Sequence, residues 1–209
     1  MTVLADDARP PDFVDLRAAV PGLEVDLRYF GSDNFVGRPV AGYEANVAYL
    51  TQPAARALEA VQRELAADGL ALKVFDAYRP QRAVDDFVRW AQDPADATKD
   101  TYYPNVDKRA LIPRGYIAER SGHSRGSTVD VTLVRLSDGV ELDMGGSFDF
   151  FDLLSWPAST LVTPVQHGNR MKLRDAMLRH GFLPLQEEWW HFTLRDEPYP
   201  ATYFDFPVQ

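Results

Sequence analysis

The chain has 209 residues, with 22 basic and 31 acidic side chains, a formal charge of −9, 45% apolar residues and no cysteine. That length suits one domain able to build its own core. The missing thiols exclude a disulfide scaffold, a cysteine-ligated zinc or iron–sulfur site and a thiol nucleophile, so any metal must rest on His, Asp or Glu. The acidic balance argues against nucleic acid as a partner, because binding a phosphate backbone needs a basic patch.

At the start of the chain, Asp6 and Asp7 stand where a secretory signal needs a positive charge and then an apolar run, and a cytoplasmic location is expected. Residues 23–30 alternate Leu23, Val25, Leu27 and Tyr29 with Glu24, Asp26 and Arg28, the period of a half-buried strand. Thr51 can cap a helix with Pro53 in its first turn, strong helix formers follow over 54–67, and Gly69 suits its end. Residues 71–78 read as a strand that ends at Arg79-Pro80, and 81–92 as a helix with Val84, Phe87, Val88 and Ala91 on one face. The polar, proline-broken stretch 93–120 is too long for a plain connection, which points to a functional segment.

Residues 127–136 alternate again, with Val129, Val131 and Leu133 opposite Asp130 and Thr132. The charge-free run 153–169 contains Pro157 and Pro164 and is too polar to span a bilayer, so no membrane association is expected. A third helix is expected over 172–180, before Gly181, and a last strand over 189–194. Strands and helices mingle without a regular βαβ repeat, which favours an α+β fold over a doubly wound sheet. No repeat or linker divides the chain.

Of four histidines, two have unusual neighbours. His123 lies in a small-residue loop leading to the strand of Asp130, and His191 follows Glu187, Glu188, Trp189 and Trp190. Two imidazoles and one carboxylate can hold a catalytic zinc with a fourth position open for water. Zinc lowers the pKa of bound water to about 7, and a base is still needed beside it; Glu188, walled by the tryptophans, can serve. Spacing alone leaves the bland reading open: a lone histidine is commonly a core or surface residue, Glu188 an ordinary acid, and the tryptophans plain core. In a regular strand residues 188 and 191 also face opposite sides, so the strand must begin or bulge near Glu188. His167 and His180 fit structural roles. The sequence 122–126 matches the G-x-S-x-G pattern of serine hydrolases, but that motif needs a helix after the turn and a strand follows here.

Beyond spacing, SGHSRGSTVDVTL from Ser121 and EWWHF from Glu188 resemble the D-alanyl-D-alanine dipeptidases, the VanX-type branch of the zinc DD-peptidases. DLRYFGSDNFVGRPVAGY from Asp26, DAYRP from Asp76, YYPNV from Tyr102, GYIAERSGHSRGS from Gly115 and GGSFDFF from Gly145 are similar to the same family, so the likeness covers roughly residues 20–195. Gly122, where a second serine is expected, and Phe30-Gly31-Ser32 depart from the pattern.

The resemblance implies a single domain over 1–209 with a central, mainly antiparallel sheet flanked by helices, DD-peptidase/Hedgehog-like. It implies one zinc per subunit on His123, Asp130 and His191, Glu188 rather than Glu187 as catalytic base, and Arg79 as the group that stabilises the oxyanion. Asp149 and Tyr29 would lie near the substrate's free amino terminus, and Ser121 would line the pocket. The implied reaction is hydrolysis of free D-alanyl-D-alanine by Glu-assisted attack of zinc-bound water. The activity would serve either vancomycin-type glycopeptide resistance or recycling of the dipeptide. A DD-carboxypeptidase or endopeptidase of peptidoglycan peptides and a catalytically inactive metal-binding module are the alternatives. The first would be exported, and the second has no use for both Glu188 and Arg79. A homo-oligomer stays open, since no heptad or interface patch stands out.

Overall fold

The computed structural model describes residues 2–4 and 6–209. In chain order its elements are β1 (Thr2–Leu4), β2 (Phe13–Asp15), α1 (Leu16–Ala19), β3 (Glu24–Val25), β4 (Tyr49–Thr51), α2 (Gln52–Ala66), β5 (Leu70–Asp76), α3 (Gln81–Gln92), α4 (Lys99–Tyr102), β6 (Thr128–Arg135), α5 (Pro164–Arg179), β7 (Phe182–Pro184), β8 (His191–Leu194) and β9 (Thr202–Phe204). Three single 3-10 turns, Lys108–Ala110, Gly122–Arg125 and Leu153–Ser155, sit in the connections.

The central sheet has the order β3-β5-β6-β8-β7. Only β3 with β5 is parallel and the other pairs are antiparallel, as an α+β fold with a mainly antiparallel sheet requires. Helix α2 packs on β5, α5 packs on β7, and the two helices touch each other. The buried residues Ala54, Ala55, Leu58, Val61 and Leu65 recur at the i, i+3, i+4 spacing that gives α2 one apolar face. Two small sheets pair β1 with β9 and β2 with β4.

Several elements depart from their expected limits. The strand expected over 23–30 pairs only at Glu24–Val25, because Asn34 gathers the carbonyls of Arg28, Gly31 and Arg38 with its side-chain amide and curls the chain, which carries Tyr29 into the core. Thr51 does not cap α2; its hydroxyl lies 2.7 Å from Ser127 Oγ instead. The third helix begins at Pro164 rather than 172, and its start is a capping box in which Thr163 and Gln166 satisfy each other's backbone amides. The last strand begins at His191 rather than 189, since Trp189 and Trp190 form the preceding turn. Strand β6 is buried on both faces, not half-buried, because β5 and β8 flank it and both sides of the sheet are covered.

Register does the work of positioning. A shift between Val74 and Asp76 sets Asp76 opposite Asp130, and Asp130 is in turn opposite His191 across the next pair. These three side chains therefore form a row across three strands, at the spacing of directly opposed residues. The turn bearing His123 closes at Gly126, whose φ of +81° only glycine adopts without strain and whose amide donates to the His123 carbonyl at 3.0 Å. A methyl group at Gly126 would sit 2.2 Å from the Phe13 ring. Gly126→Ala is thus expected to lose about 2–4 kcal/mol of stability in urea unfolding, and a change below about 0.5 kcal/mol would contradict this packing.

Candidate active site

All eight candidate residues, His123, Asp130, His191, Glu188, Arg79, Asp149, Tyr29 and Ser121, line one cavity of about 280 Å³. The row on the sheet supplies its floor, the 3-10 turn after Ser121 brings His123 over that floor, and the turn before β8 brings Glu188. Ser121 caps the His123 turn by accepting a hydrogen bond from the His123 amide at 3.2 Å. Because β8 starts at His191, the two-residue strand alternation does not apply to Glu188, and its carboxylate reaches to 3.4 Å from His191 Nδ1. Glu187 is absent from the cavity wall.

The metal-ligating atoms of His123, Asp130 and His191 all lie within 4.8 Å of one another. His123 Nε2 is 3.3 Å from His191 Nδ1 and 3.3 Å from Asp130 Oδ2, while His191 Nδ1 is 3.1 Å from Asp130 Oδ1. Tetrahedral coordination with bonds of about 2.0–2.1 Å places donors about 3.3–3.4 Å apart, so the trio has close to the right edges already. The Ala77 carbonyl, 2.7 Å from His123 Nδ1, accepts a hydrogen bond from that nitrogen and leaves Nε2 with its lone pair toward the other donors. Asp130 Oδ1 is buried with no hydrogen-bond partner, an orphan that a cation would satisfy. The residues fit a divalent metal in donor type, spacing and charge.

Charge carries the same message. Asp76, Asp130 and Asp149, all buried, and the partly buried Glu188 gather around the partly buried guanidinium of Arg79. Arg79 donates from Nε to Asp76 Oδ2 at 2.9 Å, and its Nη2 is 3.6 Å from Asp130. One guanidinium is too few for four carboxylates, so burial raises the pH at which the remainder give up their protons. Burial pushes Asp76 up despite Arg79, and lifts Asp149 well above the usual carboxylate range although the Tyr29 hydroxyl donates to it at 2.8 Å. Burial likewise pushes Glu188 up to about 7. Asp130 moves the other way: burial opposes its charge, but His123 and His191 beside it hold it well below the ordinary value. Burial lowers His123, whereas His191 is raised because the nearby Asp130 and Glu188 charges outweigh burial.

The rest of the wall is mostly apolar, with Phe35, Phe87, Ile117, Phe151 and Leu185, and Tyr116 and Arg120 complete it. The segment 115–118 also lines it, which gives part of the long 93–120 stretch a place at the site. Trp189 and Trp190 do not line the cavity; both are core, so the dry setting of Glu188 comes from the depth of the cavity and not from an indole wall. Ser124 is fully buried in a turn that leads into a strand, which excludes it as a hydrolase-type nucleophile. Sequence reasoning passed over Asp76, which accepts from Tyr43 at 2.6 Å as well as from Arg79 and lies 3.6 Å from His123 Nδ1. Its i, i+3 spacing to Arg79 was the available signal. Among the described residues no helix is long and apolar enough to cross a membrane.

The sequence profile of the peptidase M15 family, described as D-Ala-D-Ala dipeptidase, matches residues 9–209. A D-alanyl-D-alanine dipeptidase of Enterococcus faecium is 44% identical over 198 residues, covering 94% of this chain and 98% of that protein. One of Streptomyces coelicolor is 45% identical with the same coverage. One of Escherichia coli is 34% identical over 92% of this chain and 88% of its own length. A divalent metal bound by the trio should stabilise the wild-type chain by about 4 kcal/mol at a thousandfold excess over its dissociation constant. His123→Ala and His191→Ala should abolish that gain in thermal unfolding, and a metal-induced shift as large as the wild type's in either variant would contradict the trio as the binding site.

Proposed function

The chain belongs to the D-Ala-D-Ala dipeptidase family of peptidases, and we propose that it cleaves free D-alanyl-D-alanine into two D-alanines with a zinc ion held by His123, Asp130 and His191. The observation that carries this reading is the convergence of that trio, the partly buried Glu188 carboxylate and the partly buried Arg79 guanidinium in one small cavity of a chain with this family membership. When bound, zinc lowers the pKa of a water and polarises the scissile carbonyl.

The chain's own residues do the rest. Glu188, pushed up to about 7 before the metal's charge is added, removes a proton from the attacking water and returns it to the departing amine as the C–N bond breaks. Arg79 is fixed by Asp76, so its free guanidinium nitrogens can donate to the carbonyl oxygen as negative charge builds there. Asp149, oriented by Tyr29, receives the substrate ammonium. A free dipeptide then neutralises a buried carboxylate, whereas an acylated peptide leaves it unpaired and pays the desolvation of an unmet polar group. A volume of about 280 Å³ suits a substrate of two small residues.

Glu188→Ala should keep its metal and lose about 10²–10⁴ in kcat, while His123→Ala loses the metal itself; equal metal loss in both would refute the division of roles. Arg79→Lys should cost about 10²–10³ in kcat. Purified protein should release D-alanine from D-Ala-D-Ala far faster than from a pentapeptide ending in D-Ala-D-Ala, and the reverse order would replace this reading with a carboxypeptidase.

A further inference from the structure

Arg170, on α5, is one of the largest fully buried side chains of the protein, at 1% exposure, and its partners are carbonyl oxygens rather than a carboxylate. Its Nε donates to Met144 at 2.6 Å, and its Nη1 donates to Leu154 at 2.8 Å and to Trp156 at 2.9 Å. Those carbonyls lie at the two roots of the segment 144–156, and Asp149 is near its middle. Nη2 is buried without a partner, so the cost of burying the guanidinium is met by Nε and Nη1 alone, whose three bonds hold the segment in one arrangement.

The segment needs holding. Asp149 has a φ of 58°, the one positive value at a non-glycine among the described residues, a conformation that persists only when its surroundings impose it. Between the roots, the Phe151 amide donates to Tyr102 at 2.7 Å and Ser155 Oγ donates to the Phe150 carbonyl. The Ser155 carbonyl in turn accepts from the Trp189 amide at 3.0 Å, one residue from Glu188, and the Arg170 guanidinium lies 5.9 Å from the Trp189 ring centre.

We propose that Arg170 is a positioning residue for substrate binding: by clamping both roots of the 144–156 segment it fixes Asp149 where the substrate ammonium must meet it. The inference rests on the reading of Asp149 given above. Arg170 does not line the cavity, so its effect must be transmitted through Asp149. A lysine at this position keeps the charge but cannot bond three carbonyls from two separated nitrogens.

The test is steady-state kinetics of the metal-loaded wild type, Arg170→Lys, Asp149→Asn and the double variant on D-Ala-D-Ala. KM does not depend on how much of the enzyme is folded, so it separates positioning from simple destabilisation. Arg170→Lys should raise KM about tenfold or more with a smaller fall in kcat, and should add little to KM in the Asp149→Asn background. An unchanged KM in Arg170→Lys, or a rise that multiplies fully with that of Asp149→Asn, overturns the proposal. Asp149→Asn with unchanged KM overturns the ammonium reading and this inference together; a raised KM in Asp149→Asn beside an unchanged one in Arg170→Lys overturns this inference alone. If Arg170→Lys yields no folded protein, Ser155→Ala, which loosens the same segment by one hydrogen bond, is read in its place: a raised KM is expected, and an unchanged KM overturns the proposal.

Discussion

Three buried carboxylates and a fourth partly buried one, gathered around one guanidinium, are the constraint on which the structure turns. Asp76 and Asp130 are directly opposed on neighbouring strands, with Asp149 and Glu188 closing over them. Left alone, that arrangement is unfavourable, and the carboxyl groups respond by retaining protons or by drawing on the imidazoles beside them. A divalent cation would relieve the imbalance at its centre, where Asp130 has an oxygen without a hydrogen-bond partner and two imidazole nitrogens face it. The proposed catalytic chemistry uses the same imbalance, since a carboxylate that ionises only near neutrality is suited to moving protons.

The fold serves this cluster through rigid elements and short turns. The register shift in β5 supplies the row of Asp76, Asp130 and His191, and it also frees the Ala77 carbonyl to fix the His123 ring. Asp76 ties Tyr43, Arg79 and the His123 neighbourhood together, so that the guanidinium and the metal trio are set by one buried group. On the far side, the segment carrying Asp149 and the turn carrying Glu188 are joined through Ser155 and Trp189, with α5 beneath them. Groups proposed to hold substrate and to move protons thus share supports outside the cavity, which preorganises both.

Much of this was legible in the sequence. The 81–92 helix has an unambiguous apolar stripe and occurs with those limits, and the alternation after Ser127 does mark the strand that bears Asp130. The motifs around His123, His191, Asp76 and Gly145 pointed to residues that lie far apart in the chain and meet in one cavity. Three things were not legible, each for a physical reason. The pairing of β1 with β9 and of β2 with β4 joins three-residue strands distant in sequence, too short to show a period. The start of α5 was hidden by Pro164 and a polar first turn, although Thr163 and Gln166 form a capping box. Arg170 acts through hydrogen bonds to carbonyls that only the tertiary fold brings near, and Asp76, beyond its near neighbour Arg79, meets Tyr43 and His123 in the same way.

The central claim is that a single divalent ion completes the buried cluster on His123, Asp130 and His191. Crystals of the zinc-loaded protein, measured on both sides of the zinc absorption edge, test it most directly. The account predicts one strong anomalous peak per chain, about 2.0–2.2 Å from His123 Nε2, an Asp130 carboxylate oxygen and His191 Nδ1. A cavity without that peak, or a zinc bound through Glu188 in place of one of the three, would contradict it.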